Sequence, residues 1–327
     1  MIILTGGAGM IGSMIAWHLN TILNENKFVV FDDLVNQDQE KNLAKRKFID
    51  LIDKNDLPKF LKNNKKITAV IHMGAISATT ESNFNKLLIS NIRYSQMLWS
   101  WCSANKVPFI YASSAATYGG GENGYDDNEN LLSKLIPLNA YGYSKHFFDQ
   151  WVHSQVESNQ PSPPQWCGIK FFNVYGPNEY HKNRMASVVF HAFQQYQKEK
   201  EIRLFKSENR NYKDGMQLRD FIYVKDAVEY VMFFLKNNHV SGLFNSGTGT
   251  AQSFNDLAEA VILNTKGEKS NIRYINMPDD LKGKYQYYTE ANLDKIKAVG
   301  LNLKFKNLKE GVNDYMQNYL LTSDRYA

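Results

Sequence analysis

Two residues near the middle of the chain have the types and the spacing for proton transfer at a hydroxyl-bearing carbon. Tyr141 and Lys145 stand four residues apart in a segment with helical periodicity, so their side chains share one face. A free tyrosine has a pKa near ~10 and is a poor base at neutral pH, but a nearby ammonium favours the phenolate. We therefore expect Lys145 to lower the pKa of Tyr141, which can then exchange a proton with the hydroxyl while hydride leaves the carbon.

A third candidate, Ser114, follows an apolar stretch and can hydrogen-bond the same oxygen. A tyrosine and a lysine at this spacing occur by chance in many helices. Tyr118 and Tyr143 are nearby alternatives, but neither has a lysine four residues later. The pair becomes chemically meaningful only if the chain also binds a group that accepts hydride.

A glycine-rich turn after the first apolar stretch can bind such a group through its phosphates. Residues 6–12 satisfy GxGxxG, and Gly6, Gly9 and Gly12 also satisfy a wider GxxGxxG spacing. The early glycines allow a tight turn and close approach of a diphosphate, and Gly12 lets the next helix pack against the strand. The helix dipole there favours anions. The amides that point at the phosphates are those near Met10 and Ile11.

An acidic residue at the right distance turns this motif into a dinucleotide-binding fingerprint. Asp32 comes 20 residues after Gly12, at the end of the second apolar stretch, where a carboxylate binds the adenosine ribose. A carboxylate pairs with a 2′-hydroxyl and repels a 2′-phosphate, and Asp33 adds to the repulsion. A basic run follows and either offsets it or is a solvated loop, so NAD and NADP both stay open. This run is Lys41, Lys45, Arg46 and Lys47.

Short apolar strands alternate with longer amphipathic stretches through the first half of the chain. This alternation predicts an α/β fold with a Rossmann-type doubly wound parallel sheet, whose ligands bind at the carboxyl ends of the strands. The predicted strands are 2–4, 28–31, 48–49, 69–72, 108–111, 169–172 and 243–245. The predicted helices are 11–23, 85–104, 141–156 and 224–235.

The pattern becomes less regular after Asn173, which predicts a second, smaller part. We expect residues 1–173 to form the dinucleotide-binding domain, to which 220–262 return. Residues 174–219 and 263–327 then form a discontinuous α/β substrate-binding domain. The polar stretch 207–217 reads as a surface loop.

Composition excludes several classes of protein. The chain has 327 residues, and its net charge of +5 is spread out, which does not suit a nucleic-acid partner. No apolar run approaches the ~20 residues of a membrane span, and no secretory signal is recognisable at the start. Cys102 and Cys167 have no metal-binding spacing, so we expect free thiols, no metal site and a cytoplasmic location.

Several motifs together resemble the extended short-chain dehydrogenase/reductase superfamily, which includes the NAD-dependent epimerases and dehydratases. Within it, the chain is most similar to the ADP-heptose 6-epimerase family. The glycine turn and the tyrosine–lysine motif occur across the superfamily, whereas segments 113–120 and 181–188 are specific to the heptose epimerases. The matching segments are 5–12, 112–120, 138–145, 172–177, 181–182, 185–188, 219–221 and 281–286.

The resemblance implies an internal redox reaction, in which a tightly bound cofactor takes hydride from C6 of ADP-D-glycero-D-manno-heptose and returns it to the other face. The product would be the L-glycero epimer, a precursor of the lipopolysaccharide core. Protonation at opposite faces needs two acid/base groups, and the family supplies the second from a lysine that matches Lys182. A lysine that acts as a base needs a lowered pKa.

The resemblance also implies binding residues, a homo-oligomer, and NADP as the usual cofactor. Two departures bear on this: Asn183-Arg184 replaces the usual Gly-Ser, and Asp33 replaces the usual Asn, which makes NAD more plausible. This first departure can add a phosphate contact or alter the fit of the substrate. Loop 207–217 is longer than expected. Cofactor residues would include Lys41, Met73, Gly74, Ala75 and Asn91. Substrate residues would include Ser114, Asn173, Arg184, His191, Phe205, Arg219 and Tyr285, with Arg219 suited to a diphosphate.

Other functions stay open at this point. Another nucleotide-sugar epimerase of the 4-epimerase type, or a reductase, would use the same residues. A 4,6-dehydratase needs an acidic pair after the serine, where this chain has Ala115-Ala116. A non-catalytic nucleotide-binding protein would have no need of Ser114, Tyr141 and Lys145.

Overall fold

The computed structural model describes residues 1–64, 66–265, 267–268, 271–279 and 285–327. Its strands are short, as is usual when both faces of a sheet are covered. They are β1 Ile2–Thr5, β2 Phe28–Asp32, β3 Asp50–Asp53, β4 Ala69–His72, β5 Phe109–Ser114, β6 Trp166–Phe171, β7 Asn173–Tyr175, β8 Ile202–Phe205, β9 Leu218–Tyr223, β10 Gly242–Ser246, β11 Ala251–Ser253 and β12 Ile272–Ile275.

Helices connect most of these strands. They are α1 Met10–Thr21, α2 Gln37–Leu43, α3 Leu57–Asn63, α4 Phe84–Leu87, α5 Tyr94–Asn105, α6 Ala140–Glu157, α7 Val188–Glu199, α8 Val224–Lys236, α9 Phe254–Asn264, α10 Asp294–Ala298 and α11 Leu308–Tyr315. Short 3-10 helices span Lys54–Asp56, Ala115–Tyr118, Glu129–Lys134 and Tyr180–Met185, and π-helical turns span Leu88–Arg93 and Met316–Leu320.

A seven-stranded sheet forms the centre of the molecule, in the order β10-β6-β5-β4-β1-β2-β3. All its strand pairs are parallel. Strands β1, β4 and β6 are buried along their whole length, because helices cover both faces. This confirms the predicted doubly wound α/β fold. The order reverses beside β1, where ligands of such sheets bind at the carboxyl ends of the strands.

Two small sheets extend the molecule beyond the central one. One has the order β11-β9-β7 and the other pairs β12 with β8. Segment 220–262 contributes to the central sheet and to a small sheet. It contains β10, which joins the central sheet, and also β11 and most of the residues of β9, which belong to the sheet β11-β9-β7. The predicted division into two domains stays a prediction.

Local sequence explains where the site-bearing helices begin. Asn139 caps α6, with its side chain accepting a hydrogen bond from the Gly142 amide at 2.8 Å. Ser253 and Asn307 open α9 and α11 with capping boxes. Gly9 precedes α1 without a side-chain cap, so the first amides of α1 are left for other partners.

Two predicted elements differ from the structure. The predicted strand 48–49 is wrong: the strand is Asp50–Asp53, whose exposed, acidic ends hide its strand pattern. The predicted helix 85–104 is interrupted by the π-helical turn Leu88–Arg93, which inserts extra residues without breaking the apolar periodicity. Loop 207–217 has no helix or strand, as predicted.

Candidate active site

The glycine turn packs too closely for any side chain at its key positions. A Cβ on Gly12 would lie 2.0 Å from the Gly6 carbonyl oxygen, and one on Gly6 would lie 2.4 Å from the Gly74 amide nitrogen. Gly6 also has a φ of +67°, which favours glycine. The turn, the start of α1 at Met10 and Ile11, and the loop after β4 therefore form one cradle. Its uncapped helix N-terminus suits a diphosphate.

The loop after β4 is fixed to this cradle by buried polar contacts. The Met73 amide donates to the Thr5 carbonyl at 3.0 Å, and the Gly74 amide to the Thr5 hydroxyl at 3.3 Å. The fully buried Asn91 binds both the amide and the carbonyl of Ile76, each at 2.9 Å. Asn91 thus orders the loop that carries Gly74 and Ala75, and its direct contact with a cofactor stays a prediction. Its amide also donates to the Ser144 hydroxyl at 2.9 Å.

Asp32 ends β2 beside the glycine turn. Its carboxylate accepts the Ala8 amide at 2.7 Å and the Asp33 amide at 2.9 Å. Burial raises the pKa of Asp32 to about 6. The next carboxylate, Asp33, forms an ion pair with Lys54 at 2.5 Å. The sequence analysis missed Lys54, whose position follows from the register that pairs Asp32 of β2 with Asp53 of β3.

Three residues of the basic run, Lys41 on α2 and Lys45 and Arg46 just after it, contact the C-terminal residues. The Lys41 ammonium lies 5.8 Å from the centre of the Tyr326 ring. Lys45 pairs with Asp324 at 2.7 Å, and Arg46 donates to the Ala327 carbonyl at 3.0 Å. Lys41 also lines a cavity of about 960 Å³ beside the C-terminal residues, and its predicted contact with a cofactor stays a prediction.

Ser114, Tyr141 and Lys145 come together where β5 meets α6. The Ser114 hydroxyl hydrogen-bonds Tyr141 and accepts the Ala116 amide at 3.1 Å. Lys145 is buried and donates to the Ala112 carbonyl at 2.8 Å. These contacts hold the three predicted catalytic side chains at one end of the sheet.

The predicted lowering of the tyrosine pKa is wrong for this structure. Burial raises the pKa of Tyr141, while the hydrogen bond from Ser114 opposes that rise. Burial also lowers the pKa of Lys145 to about 8, against the attraction of Asp149. The pKa of Lys145 therefore lies close to neutral pH. The surroundings of Tyr141 favour its protonated form over the phenolate.

Lys182 lies against the start of α1, which forms part of the cradle. Its ammonium is 3.6 Å from the sulfur of Met10, the first residue of α1. Burial lowers the pKa of Lys182, and the nearby Glu179 opposes this shift. The lowered pKa is what a lysine acid/base requires.

The loop that carries Lys182 is held by a buried glutamate that the sequence analysis did not single out. The Glu179 carboxylate accepts the Ser187 hydroxyl at 2.7 Å, the Gly176 amide at 3.3 Å and the Ser187 amide. Asn183, next to Lys182, has φ 48° and ψ −122°, a conformation that side chains rarely adopt.

Arg219 forms the centre of a second group of predicted residues. It is buried, and its guanidinium lies 5.0 Å from the centre of the Tyr285 ring and 5.6 Å from that of Phe254. The Phe205 ring packs edge-on against Tyr285. Arg219 donates hydrogen bonds to the carbonyls of Leu218 and Gln286. No carboxylate of the described residues forms an ion pair with Arg219. A buried cation of this kind suits an anionic ligand.

The remaining predicted substrate residues lie around this group and the Lys182 loop. Asn173 is exposed and begins β7, where it pairs in register with Phe221, two residues from Arg219. A ring nitrogen of His191 lies 3.3 Å from the Arg184 carbonyl oxygen. His191 also lines the 960 Å³ cavity beside the C-terminal residues, together with Lys41. The motif residues 281–284 lie outside the described residues.

A family model now decides what kind of protein carries this site. The model of the NAD dependent epimerase/dehydratase family matches residues 2–247. The chain belongs to this family. Its glycine cradle, Asp32, and the Ser114–Tyr141–Lys145 group all lie within the matched region, so this family member uses a nicotinamide cofactor and is an isomerase of the epimerase type.

Relatives of this epimerase-family chain are similar over their whole lengths. A protein of Fusobacterium nucleatum named ADP-L-glycero-D-manno-heptose-6-epimerase is 49% identical, with 100% of both chains covered. A protein of the same name from Nitratidesulfovibrio vulgaris is 44% identical over 100% of both chains. The crystal structure of the Helicobacter pylori enzyme of that name is 28% identical, with a TM-score of 0.79 over 97% of this chain and 95% of that one.

The same fold occurs in epimerases with other substrates. A UDP-N-acetylglucosamine 4-epimerase of Methanobrevibacter ruminantium has a TM-score of 0.80 at 22% identity, covering 97% of this chain and 96% of that one. At that identity the likeness concerns the fold alone.

Within the part of the chain that the structure describes, no cluster of His, Cys, Asp or Glu could hold a metal, and no helix is long and apolar enough to cross a membrane.

Proposed function

We propose that this protein converts ADP-D-glycero-D-manno-heptose to ADP-L-glycero-D-manno-heptose by oxidising and re-reducing C6 with a cofactor that stays bound. The carrying observation is that one cradle is flanked by two acid/base candidates. Ser114 ends β5 and hydrogen-bonds Tyr141 at the start of α6, and Lys182 contacts the first residue of α1. Relatives of the same length, up to 49% identical and named for this reaction, support the substrate.

The reaction needs a proton and a hydride to leave the same carbinol. The nicotinamide ring supplies the hydride acceptor, and later the donor, when it is bound in the cradle. One of Tyr141 and Lys182 takes the hydroxyl proton as hydride leaves C6. After the ketone turns over, hydride returns to its other face and the second residue protonates the oxygen. Ser114 hydrogen-bonds the oxygen, and Lys145 holds the nicotinamide ribose.

The nucleotide end of the substrate fits the Arg219 group. Arg219 is a buried guanidinium without a carboxylate partner among the described residues, so a diphosphate would supply the missing charge. The rings of Phe205 and Tyr285 beside it offer apolar faces to a base or ribose. Asn173 in the neighbouring strand faces the sugar, Arg184 contributes from the segment that carries Lys182, and His191 contributes from α7.

One cofactor molecule stays bound to each subunit, and NAD is the form that fits better. Asp32 and Asp33 stand together at the ribose end of the cradle, where their charges disfavour a 2′-phosphate. The cofactor that copurifies with the protein identifies the form directly.

An isotope experiment tests the reaction. The purified protein is incubated with ADP-D-glycero-D-manno-heptose in deuterated water without added cofactor, and the epimers are followed by NMR. We expect both epimers to accumulate with no deuterium at C6, because the same hydride leaves and returns. Deuterium at C6, a requirement for reduced cofactor in each turnover, or conversion only of UDP-sugars at C4 would contradict the proposal.

Substitutions test the two acid/base roles. Tyr141→Phe and Lys182→Met are each expected to lower kcat by about 10²- to 10⁴-fold, the usual contribution of a positioned acid or base. Both should retain the cofactor. Tyr143→Phe, two residues along the same helix, is the matched control and should keep full activity. An unchanged rate in either test variant would remove that residue from the mechanism.

Self-association and a cytoplasmic location complete the proposal. Both rest on the resemblance to the heptose epimerases. Sedimentation of the purified protein at micromolar concentration tests the first, and a monomer at that concentration would contradict it.

A further inference from the structure

Asn42 on α2 is buried where the glycine turn meets the segment that carries Lys182. Its side-chain nitrogen donates to the Ala8 carbonyl at 2.8 Å and to the Asn178 carbonyl at 3.0 Å. The same nitrogen lies 3.4 Å from Nδ1 of His181. Ala8 belongs to the glycine turn, whereas Asn178 and His181 belong to the segment that ends at Lys182. One side chain therefore joins this segment to the cradle.

The two carbonyl acceptors fix the orientation of the Asn42 amide. If the group were turned round, its Oδ1 atom would face two carbonyl oxygens, none of which can donate a hydrogen bond. In the observed orientation Oδ1 is buried and has no hydrogen-bond partner among the described residues. A buried polar atom without a partner lowers stability. The nitrogen is therefore the half of this amide that the protein uses.

Two further contacts attach the same segment to the start of α1. The Asn178 side chain donates to the Ser13 hydroxyl at 2.9 Å, and the Lys182 ammonium lies 3.6 Å from the Met10 sulfur. Both ends of segment 178–182 thus contact the first turn of the helix that follows the glycine turn. The position of the Lys182 ammonium depends on how this segment is attached.

The glycine turn has a support that does not involve Asn42. The Ala8 amide donates to the Asp32 carboxylate at 2.7 Å, so the turn stays fixed to β2 without the Asn42 bond to the Ala8 carbonyl. Loss of the Asn42 amide should therefore loosen the segment that carries Lys182 and leave the cradle able to hold a cofactor.

We propose that Asn42 is a positioning residue for Lys182, which it holds against the cradle so that the ammonium reaches the hydroxyl at C6. The inference rests on the proposed function, in which Lys182 transfers a proton at that carbon. An acid or base must lie within hydrogen-bond distance of the oxygen that it serves. A displacement of about 1 Å can lower the rate by about 100-fold.

Two variants of the full-length protein remove ties of this segment. Asn42→Leu has a similar volume but donates no hydrogen bond, and Ser13→Ala removes the bond to Asn178. Gln39→Ala is the matched control, because Gln39 is also buried on α2 but accepts the Val35 amide at 3.0 Å, just before the same helix. Circular dichroism checks folding, and bound nicotinamide is quantified after denaturation. Both kcat and KM are measured with ADP-D-glycero-D-manno-heptose.

A combination with Lys182→Met separates positioning from a general structural defect. If Asn42 acts through Lys182, Asn42→Leu should lower kcat by about 10- to 100-fold in the wild type and should cause no further loss in Lys182→Met. A structural defect would lower kcat by the same factor in both backgrounds, because independent effects add in free energy.

We expect Asn42→Leu to keep the cofactor and the wild-type KM, and Gln39→Ala to keep the wild-type rate. Ser13→Ala should lower kcat by about 2- to 10-fold, the effect of one neutral hydrogen bond. The inference is overturned if folded Asn42→Leu keeps the wild-type kcat, if it loses the cofactor, or if its full effect persists in Lys182→Met. Should Asn42→Leu fail to fold, Ser13→Ala alone and with Lys182→Met decides by the same criteria.

Failure of the proposed function gives a different result. A wild-type protein that does not epimerise ADP-D-glycero-D-manno-heptose would overturn the proposed function together with this inference. An active wild type with an equally active, folded Asn42→Leu variant would overturn this inference alone.

Discussion

Asn183, the residue after Lys182, has a strained backbone conformation next to a candidate acid/base residue. Asn183 has φ 48° and ψ −122°, and its side chain donates a long hydrogen bond of 3.5 Å to the His181 carbonyl. Asparagine tolerates positive φ better than most residues, yet this combination of angles is one that glycine adopts most readily. Glycine is also the residue usual at this position in the family that the sequence resembles. The departure was visible in the sequence, but its conformational cost was not.

Replacing Asn183 by glycine should therefore stabilise the protein. Glycine would relieve backbone strain that costs about 1–3 kcal/mol. It would also make the unfolded chain more flexible, which lowers the free energy of unfolding by about 0.5–1 kcal/mol. We expect Asn183→Gly to raise the free energy of unfolding by about 1 kcal/mol in chemical denaturation. Asn183→Ala, which has a Cβ but no hydrogen-bonding side chain, should lower it. A glycine variant less stable than the alanine variant would show that the conformation carries no strain.

The candidate catalytic residues could be predicted one at a time, whereas the shifts of their pKa values could not. Spacing alone brought Tyr141 and Lys145 to one helix face, and Ser114 to the end of a neighbouring strand. The direction of the Tyr141 pKa depends on burial, which helices and strands distant in the sequence create. Lys54 was missed for a similar reason, because it reaches Asp33 only through the pairing of β2 with β3.

At the scale of elements, one buried ion pair joins the strands and the helix that carry the catalytic group. Lys170 of β6 binds Asp149 of α6 at 2.7 Å, and the two side chains are 1% and 0% exposed. Asp149 also accepts the hydroxyls of Ser113 at 2.6 Å and Tyr111 at 3.1 Å, both on β5. Lys170 donates to the Thr117 hydroxyl at 2.8 Å. Helix α6, which carries Tyr141 and Lys145, is thereby fixed to strands β5 and β6.

Breaking this pair should cost far more than breaking an exposed one. Lys170→Met leaves a buried carboxylate without its cation, and we expect it to lower the free energy of unfolding by about 3–5 kcal/mol. Lys170→Met combined with Asp149→Asn should lose less than the sum of the single variants, with a coupling above about 1 kcal/mol. A double-mutant cycle by urea denaturation measures this coupling.

The exposed pair Arg203–Glu199 is the control for that cycle. Its atoms lie 2.9 Å apart, but the side chains are 36% and 38% exposed. Its coupling should be about 0.2–1 kcal/mol, the usual range for an exposed ion pair. Equal couplings in the two cycles would mean that burial adds nothing to the Lys170–Asp149 interaction.

Over the whole molecule, the central sheet was predictable and the small sheets were not. Strands of the central sheet are apolar runs separated by helices, and that pattern specifies a parallel sheet directly. The small sheets join strands far apart in the chain, such as β8 with β12, which share no local signal. The contact between α2 and the C-terminal residues could not be predicted either, because it joins Asp38 to Tyr326, which lie far apart in the chain.

Buried titratable groups are spread through the molecule and act on its stability in opposite senses. Burial lowers the pKa of His18, His146 and His181 to about 4, and that of His72 to about 3. It raises the pKa of Asp127 to about 6, as it does for Asp32. As the pH falls from 6.5 to 4, these histidines bind protons in the unfolded chain but not in the folded protein, which lowers the free energy of unfolding. The two carboxylates bind protons in the folded protein at a higher pH than in the unfolded chain, which raises it. The two sets of contributions therefore partly offset each other, and a single contribution is measured as the difference between a variant and the wild type.

His72 offers the clearest such difference. It is buried, and its ring nitrogens lie 2.6 Å from the Thr5 hydroxyl and 2.8 Å from the Ser95 hydroxyl. Because its folded pKa lies below the unfolded value, its contribution is present above pH 6.5 and is lost as the pH falls. Between pH 7.5 and 5.0 the wild type should lose about 2 kcal/mol relative to His72→Asn. Urea denaturation at several pH values measures this, with exposed His239→Gln as the control that should run parallel to the wild type. Parallel curves for His72→Asn and the wild type would show that the buried ring takes up its proton in the folded protein.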